Sequence, residues 1–386
     1  MTLRPADLGV LADDLTGACD AASVFAAACG PVRVHVRPPR RLARVTGRGT
    51  DACSSPGTIL QVVNTQSRLL RPAASRRRVA KAARLVRHAT VVYKKTDSVL
   101  RGPAGAELEG ISRALPGYAI HVIPAVPDLG KTTRDGCLFE RGVPAHRTEY
   151  GIDPLSPLET NDIRRIIGAT GQVRFTVADV ETNEDLDRAV AQALEEGRVV
   201  LAGSVGLADA LARRLQATRW TSPPPGRADR VLVLCGSRYA ASREQMQRAA
   251  SVLGREILTI VEGTSPSEAA RECAGAHVAL VAIQTESLLA GRRLASLFGK
   301  VRQVIRSFDP NALGIIGGET AYRILRQLGA GALDVRGKIQ LGVAFGTIVD
   351  GELAGRTFAT KGGSVGTPDA CLRMIDCLRT GEAGGS

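Results

Sequence analysis

Short apolar runs recur at steady intervals along this chain. In its first half they are LGVLA (8–12), TILQVV (58–63), ATVVYKK (89–95), YAIHVIPA (118–125), QVRFTVA (172–178) and RVVLAG (198–203). Each is too short for a helix and too continuously apolar for a strand with one wet face, so each reads as a strand buried on both sides. Between several of them lie helix-period stretches, notably 72–88 and 184–196. Strands alternating with helices predict an α/β fold with a largely parallel sheet.

The rhythm breaks at TRWTSPPPGRADR, residues 218–230. Consecutive prolines continue neither a helix nor a central strand, which places a domain boundary there. The alternation then restarts with VLVLCGS (231–237), a helix to about residue 253, EILTIV, HVALVAI, ALGIIGGET, GKIQLGVAFGTIV and TFATKGGSVG, and closes on a helix near 368–379. The expected domains are 1–220 and 229–386, each a largely parallel sheet flanked by helices. Only the terminal TGEAGGS is expected to lack a fixed fold.

Composition changes this picture in three places. A net charge of +13 raises nucleic acid as a partner, but aromatics are only 3%, which leaves few stacking platforms. Anionic substrates, or equally a genome that favours arginine codons, account for the charge. The basic stretches 37–50 and 75–88 read as a solvated loop and a helix, the helix turning Val79, Ala82, Ala83 and Val86 inward. The eight cysteines form no C-x-x-C pair, so they read as reduced thiols of a cytoplasmic protein, and no run is long enough to span a membrane. Finally, the basic residues are overwhelmingly arginine. Only seven lysines occur, and Lys94, Lys95, Lys131 and Lys361 stand where a compact point charge would serve a site.

Ligands of open α/β sheets collect at the carboxyl ends of strands, and four such ends carry unusual residues. LADDLTGA places Asp13 and Asp14 side by side after a buried strand. Thr16 can cap the helix beginning near Gly17, which accounts for one acid beside a helix N-terminus but not for two. A carboxylate that accepts a substrate hydroxyl proton accounts for the other. Leu15 stands where a dehalogenase-type nucleophile would need its second Asp, which argues against that chemistry. YKKTDSVLRGP gathers Lys94, Lys95, Thr96, Asp97, Ser98 and Arg101 before a helix opened by Pro103, a cradle for a carboxylate or phosphate. AVPDLGKT (125–132) imitates a P-loop, but Gly136, Gly142 and Pro144 follow so closely that no helix can carry the phosphates. Lys131 remains there as an anion contact. Lastly, Gly236–Ser237, Gly317–Thr320 and Lys361–Gly363 are glycine turns in one domain, which together suggest a nucleotide.

LADDLTGACDAA, NTQSR, YKKTDSVLRG, PAVPDLGKTTRDG, AGSVGLADAL, CGSRYAASREQ, GGETA and TKGGSVG occur in this order over nearly the whole chain. Together they resemble the four-carbon acid sugar kinase family. The resemblance implies an N-terminal sugar-acid-binding domain, a C-terminal nucleotide-binding domain and an active site in the cleft between them. It further implies phosphorylation of threonate, erythronate or 3-oxo-tetronate types of acid with ATP and a divalent cation, Mg2+. Carried over by motif, the catalytic acid falls on Asp14, with Asp13 beside it. Substrate contacts fall on Ser67, Arg68, Lys95, Asp97, Ser98 and Arg101, with Lys95 and Arg101 clamping the acid's carboxylate. Nucleotide contacts fall on Ser237, Gly317, Gly318, Glu319, Thr320, Lys361, Gly362 and Gly363. The chain departs from the pattern at Arg238–Tyr239, at Ser364–Val365 and at Lys131, which stands for a frequent arginine. The expected partners are a small anionic sugar acid and ATP or ADP, not nucleic acid or a membrane, and a homodimer is compatible with this reading. A nucleotide-binding regulator would need the glycine turns but not the acid pair. A nucleic-acid binder would show salt-dependent retention on DNA.

Overall fold

The computed structural model describes residues 2–42, 60–153, 156–216, 226–284 and 291–382. The basic segment 43–50, Cys53 and the proline run 223–225 lie outside the described residues. The chain divides into two units, Met1–Trp220 and Thr221–Ser386.

The first unit opens with β1 (Leu8–Ala12), α1 (Leu15–Cys29), β2 (Val32–His35) and β3 (Leu60–Asn64). It continues with α2 (Pro72–Ala83), β4 (Val91–Lys95), α3 (Ala104–Ala114) and β5 (Ala119–Ile123). Three short strands follow, β6 (Lys131–Arg134), β7 (Cys137–Glu140) and β8 (Val143–Pro144), then α4 (Ile163–Gly168) and β9 (Thr176–Val177). It closes with α5 (Asn183–Glu195), β10 (Val199–Gly203) and α6 (Val205–Ala212). The main sheet runs β2-β3-β1-β4-β10-β5-β9 and every pairing within it is parallel.

Side chains alternate across this sheet, so successive residues of one strand serve two cores. Leu11, Val63, Val92 and Val122 pack with Val79, Ala82, Ala83 and Val86 beneath α2 and with Leu108 and Ile111 of α3. Their neighbours point the other way, where Tyr93 meets Phe25 of α1 edge-on at 6.0 Å. The run 172–178 contributes less than its apolar character suggests, for only Thr176 and Val177 pair, with His121 and Val122. It lies at the sheet edge, where a short strand leaves few open backbone groups. The P-loop imitation turns through a short 3-10 segment, Pro127–Leu129, into β6. With β7 and β8 it builds a small antiparallel sheet, so no helix follows Lys131.

The second unit contains β11 (Val231–Cys235), α7 (Ala240–Leu253), β12 (Ile257–Ile260), α8 (Pro266–Cys273), β13 (Val278–Ile283) and α9 (Gly291–Phe308). After these come β14 (Ala312–Ile316), α10 (Gly318–Gln327), β15 (Ala332–Gln340), β16 (Val343–Ile348), β17 (Thr357–Lys361) and α11 (Ala370–Thr380). The strands β12-β13-β11-β14-β17 are parallel, and β16 and β15 extend them antiparallel. GKIQLGVAFGTIV is therefore two strands joined by a tight turn at Leu341–Gly342, not one. Met246, Cys371, Met374 and Ile375 fill one core against Val231, Val233 and Phe345.

In both units the parallel register brings strand ends level. Ala12 pairs with Asn64 and Lys95, and Lys95 with Gly203. Cys235 pairs with Ile316, and Ile316 with Lys361. Residues just beyond those positions, distant in sequence, meet at one edge of each sheet.

Candidate active site

At the edge of the first unit, Asp13 leaves β1 and Asp14 begins the turn into α1. Asp14, not Thr16, is the helix cap, its Oδ1 accepting the Gly17 amide at 2.8 Å. The helix starts at Leu15, two residues before Gly17, so the cap position moves back with it. Thr16 instead donates its hydroxyl to Asp14 Oδ2 at 3.1 Å.

Arg68 resolves the repulsion between the two acids. Its Nε and Nη2 form a two-bond fork on Asp13, each bond 2.8 Å, while Nη1 reaches Asp14 Oδ2 at 2.9 Å. The backbone holds the fork in place, because the amides of Ser67 and Arg68 both donate to the Asp13 carbonyl. Burial pushes the Asp13 carboxyl up, but Arg68 and then Lys94 outweigh it and hold the group below the usual carboxylate range. Burial likewise opposes the Arg68 charge, and Asp13, Asp14 and Asp97 more than restore it.

The end of β4 is built from buried charges. Lys94 is 0% exposed, pairs with Glu107 Oε2 at 2.7 Å and donates to the Lys95 carbonyl at 3.0 Å. Glu107 also accepts the hydroxyls of Ser67 and Ser75, so Ser67 is held from below by a carboxylate on α3. Lys95 Nζ donates to the Thr96 carbonyl at 2.8 Å, under the first turn of α1. Asp97 receives Arg101 Nε and Nη2 at 3.1 and 2.6 Å, and Arg101 Nη1 goes to Asp153 at 2.8 Å. Burial raises the Asp97 carboxyl, yet Arg101 and Arg68 carry it far below its ordinary value. Ser98 is half-buried and accepts from Lys131 Nζ at 2.9 Å.

The structure thus gathers Asp13, Asp14, Ser67, Arg68, Lys95, Asp97, Ser98 and Arg101 at one sheet edge. Arg101, read from the sequence as a clamp, has three of its donors on carboxylates of the chain itself. Sequence reasoning missed Glu107, Tyr150 and Asp153. Glu107 had a signal, since it lies three residues after Ala104 and four before Ile111 on the inward face of α3. Tyr150 and Asp153 had none, because they lie in and just after a short 3-10 segment with no hydrophobic period to mark it.

In the second unit the three glycine turns converge. Gly317 caps α10 at φ 109°, a backbone that other residues rarely adopt, and its amide donates to the Lys361 carbonyl at 2.9 Å. A Cβ on Gly363 would stand 2.3 Å from Ser237 Oγ, so only glycine lets these turns approach. Thr320 is buried against Gly236 on the other side of Ser237. Gly318, Glu319 and Thr320 begin α10, and Glu319 turns aside to pair with Arg323 at 2.6 Å. The departures Tyr239 and Val365 pack against Gly363 and Gly362.

Lys361 is 0% exposed and donates to the Gly362 carbonyl at 2.8 Å. Burial pushes its ammonium down to about 8, and its titratable neighbours among the described residues are the thiols of Cys235 and Cys371. A buried ammonium with no carboxylate partner among the described residues, beside turns that present backbone amides, fits the phosphates of a nucleotide. Among the described residues no cluster of three or more acids, histidines or cysteines is arranged to hold a metal. Nor is any described helix long and apolar enough to cross a membrane.

Two α/β units thus carry the unusual residues of this chain, one an acid–arginine edge and the other converging glycine turns. Residues 8–175 match the sugar-binding N-terminal domain model, and residues 232–371 match the nucleotide-binding C-terminal domain model. A D-threonate kinase of Bordetella bronchiseptica is 29% identical, across 96% of this chain and 97% of its own. A D-erythronate kinase of Heliobacterium modesticaldum is 25% identical over the same shares. A 3-oxo-tetronate kinase of Methylobacterium radiotolerans is 23% identical over 96% and 99%. A solved structure from Salmonella typhimurium LT2 shares the fold at a TM-score of 0.73, with 19% identity over 95% of this chain and 98% of that one. The chain belongs to the four-carbon acid sugar kinase family. Membership makes it an enzyme that phosphorylates a hydroxyl group.

Proposed function

We propose that this enzyme moves the terminal phosphoryl group of ATP onto a hydroxyl of a small sugar acid of the threonate, erythronate or 3-oxo-tetronate type. The observation that carries the proposal is the Arg68 fork across Asp13 and Asp14 at the end of β1. A structural cap needs one carboxylate. Two, locked in orientation by a half-buried guanidinium, make a base with a fixed neighbour.

Phosphoryl transfer asks for positioning and charge neutralisation more than covalent chemistry. Asp14 Oδ1 uses one acceptor site on the Gly17 amide, which leaves another for the proton of a substrate hydroxyl. Asp13 and Arg68 hold Asp14 in place. Ser67 and Ser98, and the charged groups Lys95, Asp97 and Arg101, supply the acceptor's polar surroundings. Lys361, Ser237 and the amides of Gly317–Thr320 and Gly362–Gly363 would hold the nucleotide phosphates. Mg2+ carried with the nucleotide would neutralise charge on the transferred group.

The test is an ADP-release screen over four- to six-carbon sugar acids with ATP and Mg2+. Acid-dependent turnover is expected with at least one four-carbon acid. Nucleotide binding without turnover on any acid would make the protein a regulator and overturn the proposal.

A further inference from the structure

Most cations at the acceptor edge are already matched by carboxylates. Arg68 lies on Asp13 and Asp14, Arg101 on Asp97 and Asp153, and Lys94 on Glu107. Lys95 sits under α1 and helps to hold Asp13 ionised. One cation differs. Lys131 donates to two neutral hydroxyls, Ser98 Oγ at 2.9 Å and Tyr150 Oη at 2.7 Å. Among the described residues its one carboxylate neighbour within 4.0 Å is Glu140, at 3.9 Å and beyond hydrogen-bonding reach.

We propose that Lys131, with Ser98, binds the carboxylate of the sugar acid and so selects an acid over a neutral sugar. This rests on the kinase reading above. An ammonium has three donors, and two are spent on Ser98 and Tyr150. The third is available to a ligand. Ser98 accepts from Lys131, so its own proton is free to donate to the same anion. Both residues are half-buried, reachable by a small ligand yet poorly hydrated.

The surroundings favour this role. β6 begins at Lys131, and its pairing partner across the hairpin is Glu140, which tethers the small sheet at that point. The Tyr150 ring lies under both Lys131 Nζ, at 4.9 Å from its centroid, and the Arg101 guanidinium, at 5.1 Å. That platform fixes the ammonium in space, as cation–π contacts do. Burial depresses the Lys131 ammonium, against the pull of Asp97 and Glu140. An arriving carboxylate reverses that penalty, so binding energy concentrates on the charged group. Arg101, by contrast, already has three of its donors committed to Asp97 and Asp153.

The discriminating measurement is the ratio of affinities for a turned-over sugar acid and for its uncharged amide, read by calorimetry without ATP. The wild-type chain should prefer the acid by 10-fold or more, on the order of one charge-assisted hydrogen bond. Lys131→Met should abolish that preference and raise KM for the acid about 10- to 100-fold, with little change in kcat or in KM for ATP. Glu140→Gln removes the competing carboxylate and should increase the preference. Equal weakening of acid and amide in Lys131→Met would reduce Lys131 to a structural role and overturn the proposal. So would an unchanged ratio in Glu140→Gln, which decides the matter if Lys131→Met fails to fold. Because the ratio is measured by binding, a chain that binds the acid without turning it over would sink the kinase reading and leave the clamp standing.

Discussion

Arg68 Nη1 stands 2.9 Å from Asp14 Oδ2, while the rest of the same guanidinium is forked on Asp13. One half-buried cation therefore joins two adjacent acids, and each acid keeps a different task. Asp13 is consumed in the fork. Asp14 divides its oxygens between the helix cap and Arg68 and retains an acceptor site.

Substituting Asp14 separates cap from base. Asn still caps a helix but accepts no proton, so Asp14→Asn should lower kcat by about 100-fold or more, the range of general acid–base catalysis. Its melting temperature should stay near wild type. Asp14→Ala should lose the same activity and a further ~1 kcal/mol of stability with the cap. Near-full turnover in Asp14→Asn, measured on the true substrate, would leave Asp14 as a cap only.

Arg101→Ala tests a structural anchor. The guanidinium side chain is 12% exposed and holds Asp97 and Asp153. Its removal leaves two carboxylates short of a partner, and breaking a buried pair this way costs about 3 kcal/mol or more. Asp97 titrates far below its unfolded value, so its contribution to stability is present above the ordinary carboxylate range and is lost as pH falls below it. Arg101→Ala should flatten that acid limb in urea melts taken between pH 3 and 7. A raised KM with unchanged stability would instead make Arg101 a ligand clamp.

Lys361 should impose a pH limit on nucleotide binding. Its ammonium titrates at about 8 in the folded chain, against 10.5 ordinarily. Phosphate binds the charged form, so ATP affinity should fall as pH rises through 8, approaching 10-fold per unit above it. The stability effect has the opposite sign. The unfolded chain holds this proton between about pH 8 and 10.5 while the folded chain has released it, so this lysine's destabilising contribution fades across that window. Calorimetry in buffers of different ionisation enthalpy should detect proton uptake on ATP binding near pH 8, and Lys361→Met should abolish it.

Gly363→Ala should damage the donor side alone. The added methyl carbon would stand 2.3 Å from Ser237 Oγ and 2.8 Å from the Tyr239 ring, so the turn must move. ATP affinity should drop about 10-fold or more, while sugar-acid binding by calorimetry stays unchanged. Equal ATP affinity in this variant would remove the turn from the nucleotide site.

Much of the molecule is legible in the residue order. Apolar runs of five to eight residues locate the strands because a buried strand needs continuous apolar surface, and the helix over Pro72–Ala83 turns Val79, Ala82 and Ala83 inward as its spacing requires. The scarcity of lysine also carried information. Lys94 and Lys361 are fully buried and Lys95 nearly so, whereas Lys81 and Lys338 are exposed. At Lys94, Lys95 and Lys361 the retained lysine is a compact buried charge, while Lys81 and Lys338 show that retention alone does not mark a site.

The partners of those charges were decided only by the tertiary structure. Arg68 meets Asp13 across 55 positions of sequence, Glu107 meets Ser67 across 40, and Lys131 meets Ser98 across 33. Hydrophobic periodicity is a local property, readable one strand or one helix at a time. Ion pairing depends on which strands lie side by side and in what register. The parallel alignment of Ala12, Asn64 and Lys95 makes one edge out of three distant segments, and burial there leaves each charge to be satisfied by whatever that edge brings within reach.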